Sequence, residues 1–203
     1  MKSIVNKLVK NLKKHGIKVK LIKSKFVQYG DGTICNGYFD ETNKTMKVAV
    51  GKPIIKWFPT FIHEYCHFEQ WLNNAPQWYN SAEDEQYTLN LAMDHFNGYL
   101  KLTKKQLNDY LHRAAEVELD CEKRVIKKIK ENNLPIDVKK YTQRANAYIA
   151  FYYAMEKLKS WYDFPPYESE EILNIMPSTI RGVNHKKLGK KLVKLFEKHC
   201  IKQ

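Results

Sequence analysis

His63 and His67 stand four residues apart, with Glu64 next to the first, in the run His-Glu-Tyr-Cys-His at positions 63–67. On a helix that spacing puts both imidazoles on one face, where both can reach a single Zn²⁺ at about 2.0–2.1 Å. The metal lowers the pKa of water to about 7, and the carboxylate of Glu64 is placed to take the proton. Phe58, Phe61, Ile62, Phe68, Trp71 and Leu72 surround the pentapeptide. Such apolar flanks predict a buried helix, whereas two exposed rings on a surface helix would not need them.

A catalytic zinc site takes a third protein ligand and keeps its fourth position open. The stretch from His112 to Glu122 offers several acids. With Leu111 set at zero and about 100° per residue, Ala115, Val125, Ile126 and Ile129 fall within about 60° of it and form an apolar stripe. On the same wheel Glu118 and Glu122 each lie about 20° from Leu111, on either side of it and in the middle of the stripe. Glu116, at about 140°, and Asp120, at about 180°, lie on the far side. Carboxylates centred on a buried face are costly unless something pairs with them. A cation and an imidazole N–H would do so. Glu118 is therefore the expected third ligand, and Glu122 the expected acceptor of a ligating histidine's free ring N–H. Two alternatives stay open: an ordinary buried ion pair with Lys or Arg, or exchanged roles for the two acids. Cys66 and Cys121 read as small packed hydrophobes, and His95, His112 and His199 as structural.

These residues resemble the zincin metallopeptidases, specifically the gluzincin group, in which HExxH lies on one helix and a Glu on a second. His63, Glu64 and His67 match the first part. Glu118 and Glu122 match the second, with Glu where the pattern often has Asp. Gln70 and Asn73 do not continue the histidine motif of the metzincins. The similarity is to short zincin-like proteins of phage and bacterial type and covers residues 17–130 in architecture. It implies a substrate strand added to a sheet edge, with residues 46–50 as the expected edge. It also implies an oxyanion donor, for which Tyr148, Tyr152, Arg144 and His185 are candidates.

The elements that must position these groups follow from periodicity. Residues 3–15 are expected to be helical, with Gly16 as a stop. Residues 17–26, 35–39 and 46–50 read as three strands of an antiparallel meander. A helix is expected at 58–73, with Pro59 in its first turn, then a loop at 73–81 and a helix at 82–99. A long helix is expected at 103–132. Asp137 caps the next, which runs through Ser160. Residues 161–183, with three prolines, look irregular, and 185–201 form a last amphipathic helix. The class is α+β: one zincin-like domain over 1–203, with a sheet-bearing N-lobe of about 1–75 and a helical C-lobe of about 80–203.

Composition bounds the function. The chain has 203 residues and a net charge of +13. Residues 1–30 carry nine Lys and no acid, and residues 181–203 carry eight basic residues and one acid. Such basic ends permit contact with a phosphate backbone, although no aromatic-basic recognition motif is present. Apolar runs are too short for a membrane helix, and the N-terminus does not read as a secretory signal. Four scattered cysteines point to free thiols in a reducing cytoplasm, that of a host if the protein is viral. The leading expectation is a zinc-dependent peptidase acting on peptide or protein. The alternatives are a nucleic-acid-associated zinc protein, or a protease of nucleic-acid-bound proteins, and an idle zincin fold used as a binding module.

Overall fold

The computed structural model describes residues 1–30, 32–180 and 189–202. Helix α1 (Lys2–Lys14) buries Val5 and Leu12 and ends at Gly16, which takes a left-handed φ of 77°. Strand β1 (Lys18–Ile22) follows, then a small hairpin of β2 (Val27–Gln28) and β3 (Ile34–Cys35). Strands β4 (Gly37–Asp40) and β5 (Thr45–Ala49) come next. The sheet order is β1-β5-β4, with β5 parallel to β1 and antiparallel to β4. Two expectations are corrected here: the sheet is mixed, and residues 46–50 form its central strand instead of an edge. The reason is the β2–β3 hairpin. It takes the chain out of the sheet after β1, so the tightly joined β4–β5 pair returns with β5 running alongside β1. Asp40 fixes the β4–β5 turn by accepting from the main-chain N–H and side-chain amide of Asn43, at 2.9 and 2.8 Å.

Helix α2 (Ile54–Leu72) packs on β4 and β5. Phe39 of β4 meets the rings of Phe68 and Trp71, with centroids 5.9 and 6.0 Å away. The helix begins earlier than residue 58, so Pro59 lies inside it instead of in its first turn. A proline there has no N–H for the carbonyl one turn back; the buried flanks Phe58, Phe61 and Ile62 hold the helix through it.

By internal contacts the chain divides into two units. The first is Met1–Ala75 with Lys127–Ile136, and the second is Pro76–Ile126 with Asp137–Gln203. The second opens with α3 (Pro76–Asn80), inside the expected loop. Residues 82–99 are not one helix. A hairpin of β6 (Ala82–Glu83) and β7 (Gln86–Tyr87) precedes α4 (Thr88–Phe96). Its turn residues Asp84 and Glu85 both have positive φ, and neither is glycine. Arg113 holds the hairpin by donating to the carbonyls of Asn80 and Ala82 and to Glu83, the last at 2.6 Å. Arg113 lies on α5 (Lys104–Glu131), whose last turn belongs to the first unit.

Helix α6 (Val138–Leu158), capped by Asp137, is the axis of the second unit's core. A 3₁₀ turn (Pro166–Glu168), α7 (Glu170–Ile175) and α8 (Lys190–Cys200) pack on it. The stretch 161–180 is thus partly regular, and Asn146 latches it by donating to the carbonyls of Pro177 and Thr179; residues 181–183 lie outside the described residues. The start of the expected helix at 185–201 lies outside the described residues.

Gly37 marks where β4 meets α2. A Cβ there would come within 3.0 Å of the Lys47 carbonyl and Thr60 Cγ2, and 3.3 Å of Glu64 Cγ. Gly37→Val is expected to cost about 1–3 kcal/mol by overpacking, read as a lower urea midpoint. Gly30→Ala, at a position with open space, is expected to stay within about 0.5 kcal/mol of the parent.

Candidate metal centre

Both histidines lie on α2 one turn apart, and their rings converge. The Nε2 atoms are 3.0 Å from each other, and the ring planes cross at 87°. Two nitrogens bound tetrahedrally to one Zn²⁺ would stand roughly 3.3–3.4 Å apart, so the pair needs little adjustment to share an ion.

The other nitrogen of His67 is fixed. Its Nδ1 lies 2.7 Å from Oε1 of Gln70, a fully buried side chain one turn further on. An amide oxygen only accepts, so Nδ1 carries the proton and Nε2 keeps its lone pair. Gln70 thus supplies within α2 the support of the His67 ring that was expected from a carboxylate on the second helix; for His63 the expectation of Glu122 stands as it was. Sequence reasoning missed Gln70, although a glutamine at i+3 from a histidine in an apolar run was a readable signal.

Glu64 is 6% exposed and packs its Cγ toward Gly37 on β4, an edge strand of the sheet. The general-base candidate is therefore beside a sheet edge, as a substrate strand would require, but the edge is β4. Glu69, also on α2, pairs with Lys128 at 2.7 Å, and Lys128 lies 5.2 Å from the ring centre of Tyr65. Burial pulls the Lys128 ammonium down, but the hydrogen bond and charge of Glu69 outweigh it and leave the pKa raised. Burial raises the Tyr65 phenol, which accepts from Asn11 Nδ2 at 2.7 Å.

His63, His67 and Cys121 are the group of side chains, among the described residues, that could hold a metal ion. The two imidazoles and a thiol are a donor set suited to zinc. Cys121 was read as a packed hydrophobe, and it is buried. It lies on a helix that is buried more widely than one stripe. Ala114, Val117, Leu119 and Cys121 are buried as well as the predicted positions. On the helical wheel they widen the buried arc to about 200°. Glu118 and Glu122 stand outside that group. Glu122 is buried, Glu118 is half-buried, and both have interaction partners.

Tyr148 and Tyr152 lie together on α6, with hydroxyls 2.9 Å apart. Burial first, then the nearby Glu118 carboxylate, raises both phenols well above their ordinary value. They therefore remain O–H donors, one of them to the other. Arg144 is exposed, with its guanidinium 5.5 Å from the ring centre of Tyr167, and His185 lies outside the described residues. The structural histidines have partners. His112 Nδ1 lies 3.1 Å from the Tyr153 hydroxyl, His95 Nδ1 accepts from the Leu102 N–H, and His199 meets Glu171. All four cysteines are free, and no helix among the described residues is long and apolar enough to cross a membrane.

No protein-family model, curated protein or solved structure matches the chain.

Removing the partner of His67 Nδ1 while keeping the shape is the direct test of the tautomer. Gln70→Leu is expected to weaken Zn²⁺ binding about 10–100-fold, measured by competition with a chromophoric chelator, while the circular dichroism spectrum is retained.

Proposed function

We propose that the chain is a metal-dependent peptidase of gluzincin-like design, with Zn²⁺ as its ion. The observation that carries the reading is the pair of imidazole Nε2 atoms 3.0 Å apart on a buried helix that also bears Glu64. His63, His67 and Cys121 would hold the ion, with Glu118 as the competing third ligand. A divalent ion held there supplies Lewis acidity, both to water and to a carbonyl.

The chain's own residues do the rest. Glu64, one residue after His63, takes a proton from water during attack on the peptide carbonyl and passes it to the departing amine nitrogen. The β4 edge, where Gly37 lets the strand lie close against Thr60 and Glu64, would align an extended peptide by main-chain pairing. The resemblance also implies a hydrogen-bond donor toward an oxyanion; Tyr148 and Tyr152, held protonated by burial and the Glu118 charge, are candidates by their chemistry.

Two measurements on the purified full chain test this. Metal content should be close to one zinc per chain, reduced by Cys121→Ala and retained in Glu118→Gln; the reverse pattern would assign the third ligand to Glu118. Glu64→Gln should keep its metal and lose cleavage of a casein or fluorogenic peptide substrate by at least about 100-fold. Full activity in that variant, or a protein that takes up no metal, would overturn the reading.

A further inference from the structure

Helix α2 and strand alternation decide which side chains of the sheet point away from the metal centre. A Cβ at Gly37 would point at Thr60 and Glu64 of α2, and Phe39 packs on Phe68 and Trp71 of the same helix. Alternate residues face the other way, so Tyr38 and Asp40 of β4 point to the opposite face. The strand register extends that face across the sheet. Tyr38 is opposite Lys47 and Lys47 opposite Lys20; Asp40 is opposite Thr45 and Thr45 opposite Lys18.

One row across the sheet is thus Lys20, Lys47 and Tyr38. Like charges directly opposite one another destabilise a sheet. None of Lys18, Lys20 and Lys47 has an acidic partner among the described residues. Lys47 Nζ lies 5.2 Å from the centre of the Tyr38 ring, a modest offset to that repulsion. The one acid on the face, Asp40, is occupied by Asn43. Lysines on an edge strand are commonly explained as a block to edge-to-edge pairing. That accounts for Lys18 and Lys20 on β1, but not for Lys47, which is on the central strand.

The surroundings have the same character. Lys23 and Lys25 are exposed in the connection after β1, and Lys52 stands 4.7 Å over the ring of Phe26, which is 52% exposed. We propose that this outward sheet face is a docking surface for single-stranded nucleic acid, with the ammonium groups on successive phosphates and aromatic rings against bases. Charge complementarity selects a polyanion. Lys18 and Lys20 are two residues apart on one strand, so their side chains repeat at about 6.5–7 Å, close to the phosphate repeat of an extended strand. A row of lysines with the Tyr38 ring in it suits unpaired bases, whose faces are open to stacking, better than a duplex groove. This surface does not depend on the metal centre.

The test is fluorescence anisotropy of the full chain with a labelled oligothymidylate over a series of salt concentrations. Affinity is expected to fall linearly on a log–log plot. The K18E/K20E/K47E variant should bind at least about tenfold more weakly and lose about 2 from the slope, at about 0.7 per phosphate contact. K190E/K191E/K194E on α8 makes the same change in net charge in the other unit and should stay within about threefold of the parent. If the first variant does not fold, K20Q/K47Q replaces it, with an expected slope loss of about 1.4. The proposal is overturned if the parent chain does not bind, or if both reversals weaken binding equally. It is equally overturned if a duplex of the same length binds more tightly, or if phosphatidylserine vesicles are bound and the oligonucleotide is not.

Discussion

The hydrogen bond between His67 Nδ1 and Gln70 Oε1 decides what the candidate metal centre can offer an ion. Because the amide oxygen only accepts, it fixes one tautomer and directs the lone pair of Nε2 at its neighbour on the previous turn. Two such nitrogens facing each other in an apolar setting are well placed to share a proton or a cation. The same helix carries Glu64 on the adjoining position and Glu69 toward Lys128, so one element holds imidazoles, a carboxylate and an ion-pair anchor in fixed phase. A rigid helix does this with less uncertainty of position than a loop.

The sheet serves that helix from the other side. Its central strand has buried neighbours on the face toward α2, Met46 and Val48, each fully buried. The opposite face of the same strand carries half-buried Lys47 between Thr45 and Ala49, which are themselves buried. Period-two alternation thus sets Lys47 apart from the residues that pack on α2. Gly37 is the point where the sheet must stay slim, because backbone, Thr60 and Glu64 all crowd its missing side chain.

Local pattern in the sequence carried much of this. Helical spacing located α1, α2, α5 and α6 to within a few residues, and the wheel placed Leu111, Ala115, Val125, Ile126, Ile129 and Glu122 among buried positions, as found. What escaped depends on contacts distant in the chain. The parallel pairing of β1 with β5 joins Lys18 to Thr45 across a hairpin that gives no sign of it in sequence. The β6–β7 hairpin lacks the Asn-Gly or Gly signal of a two-residue turn, since Arg113, some thirty residues away, imposes it. Cys121 is buried as expected; that its thiol also belongs to a group able to hold an ion depends on residues distant in the chain. Gln70 escaped because its role lies in one lone pair, which no periodicity records.

Residues Lys127–Ile136 return to the first unit after the stretch Pro76–Ile126 spent in the second. Lys128 reaches Glu69 and Tyr65 from there, and Leu134 closes the end of α5 through its N–H to the Ile129 carbonyl. A chain emerging from the ribosome can form α1, the strands and α2 early, yet Glu69 waits for its counter-ion until α5 is nearly complete. The first unit is thus not a contiguous module that could be cut out at Ala75, and its completion is tied in time to the synthesis of its neighbour.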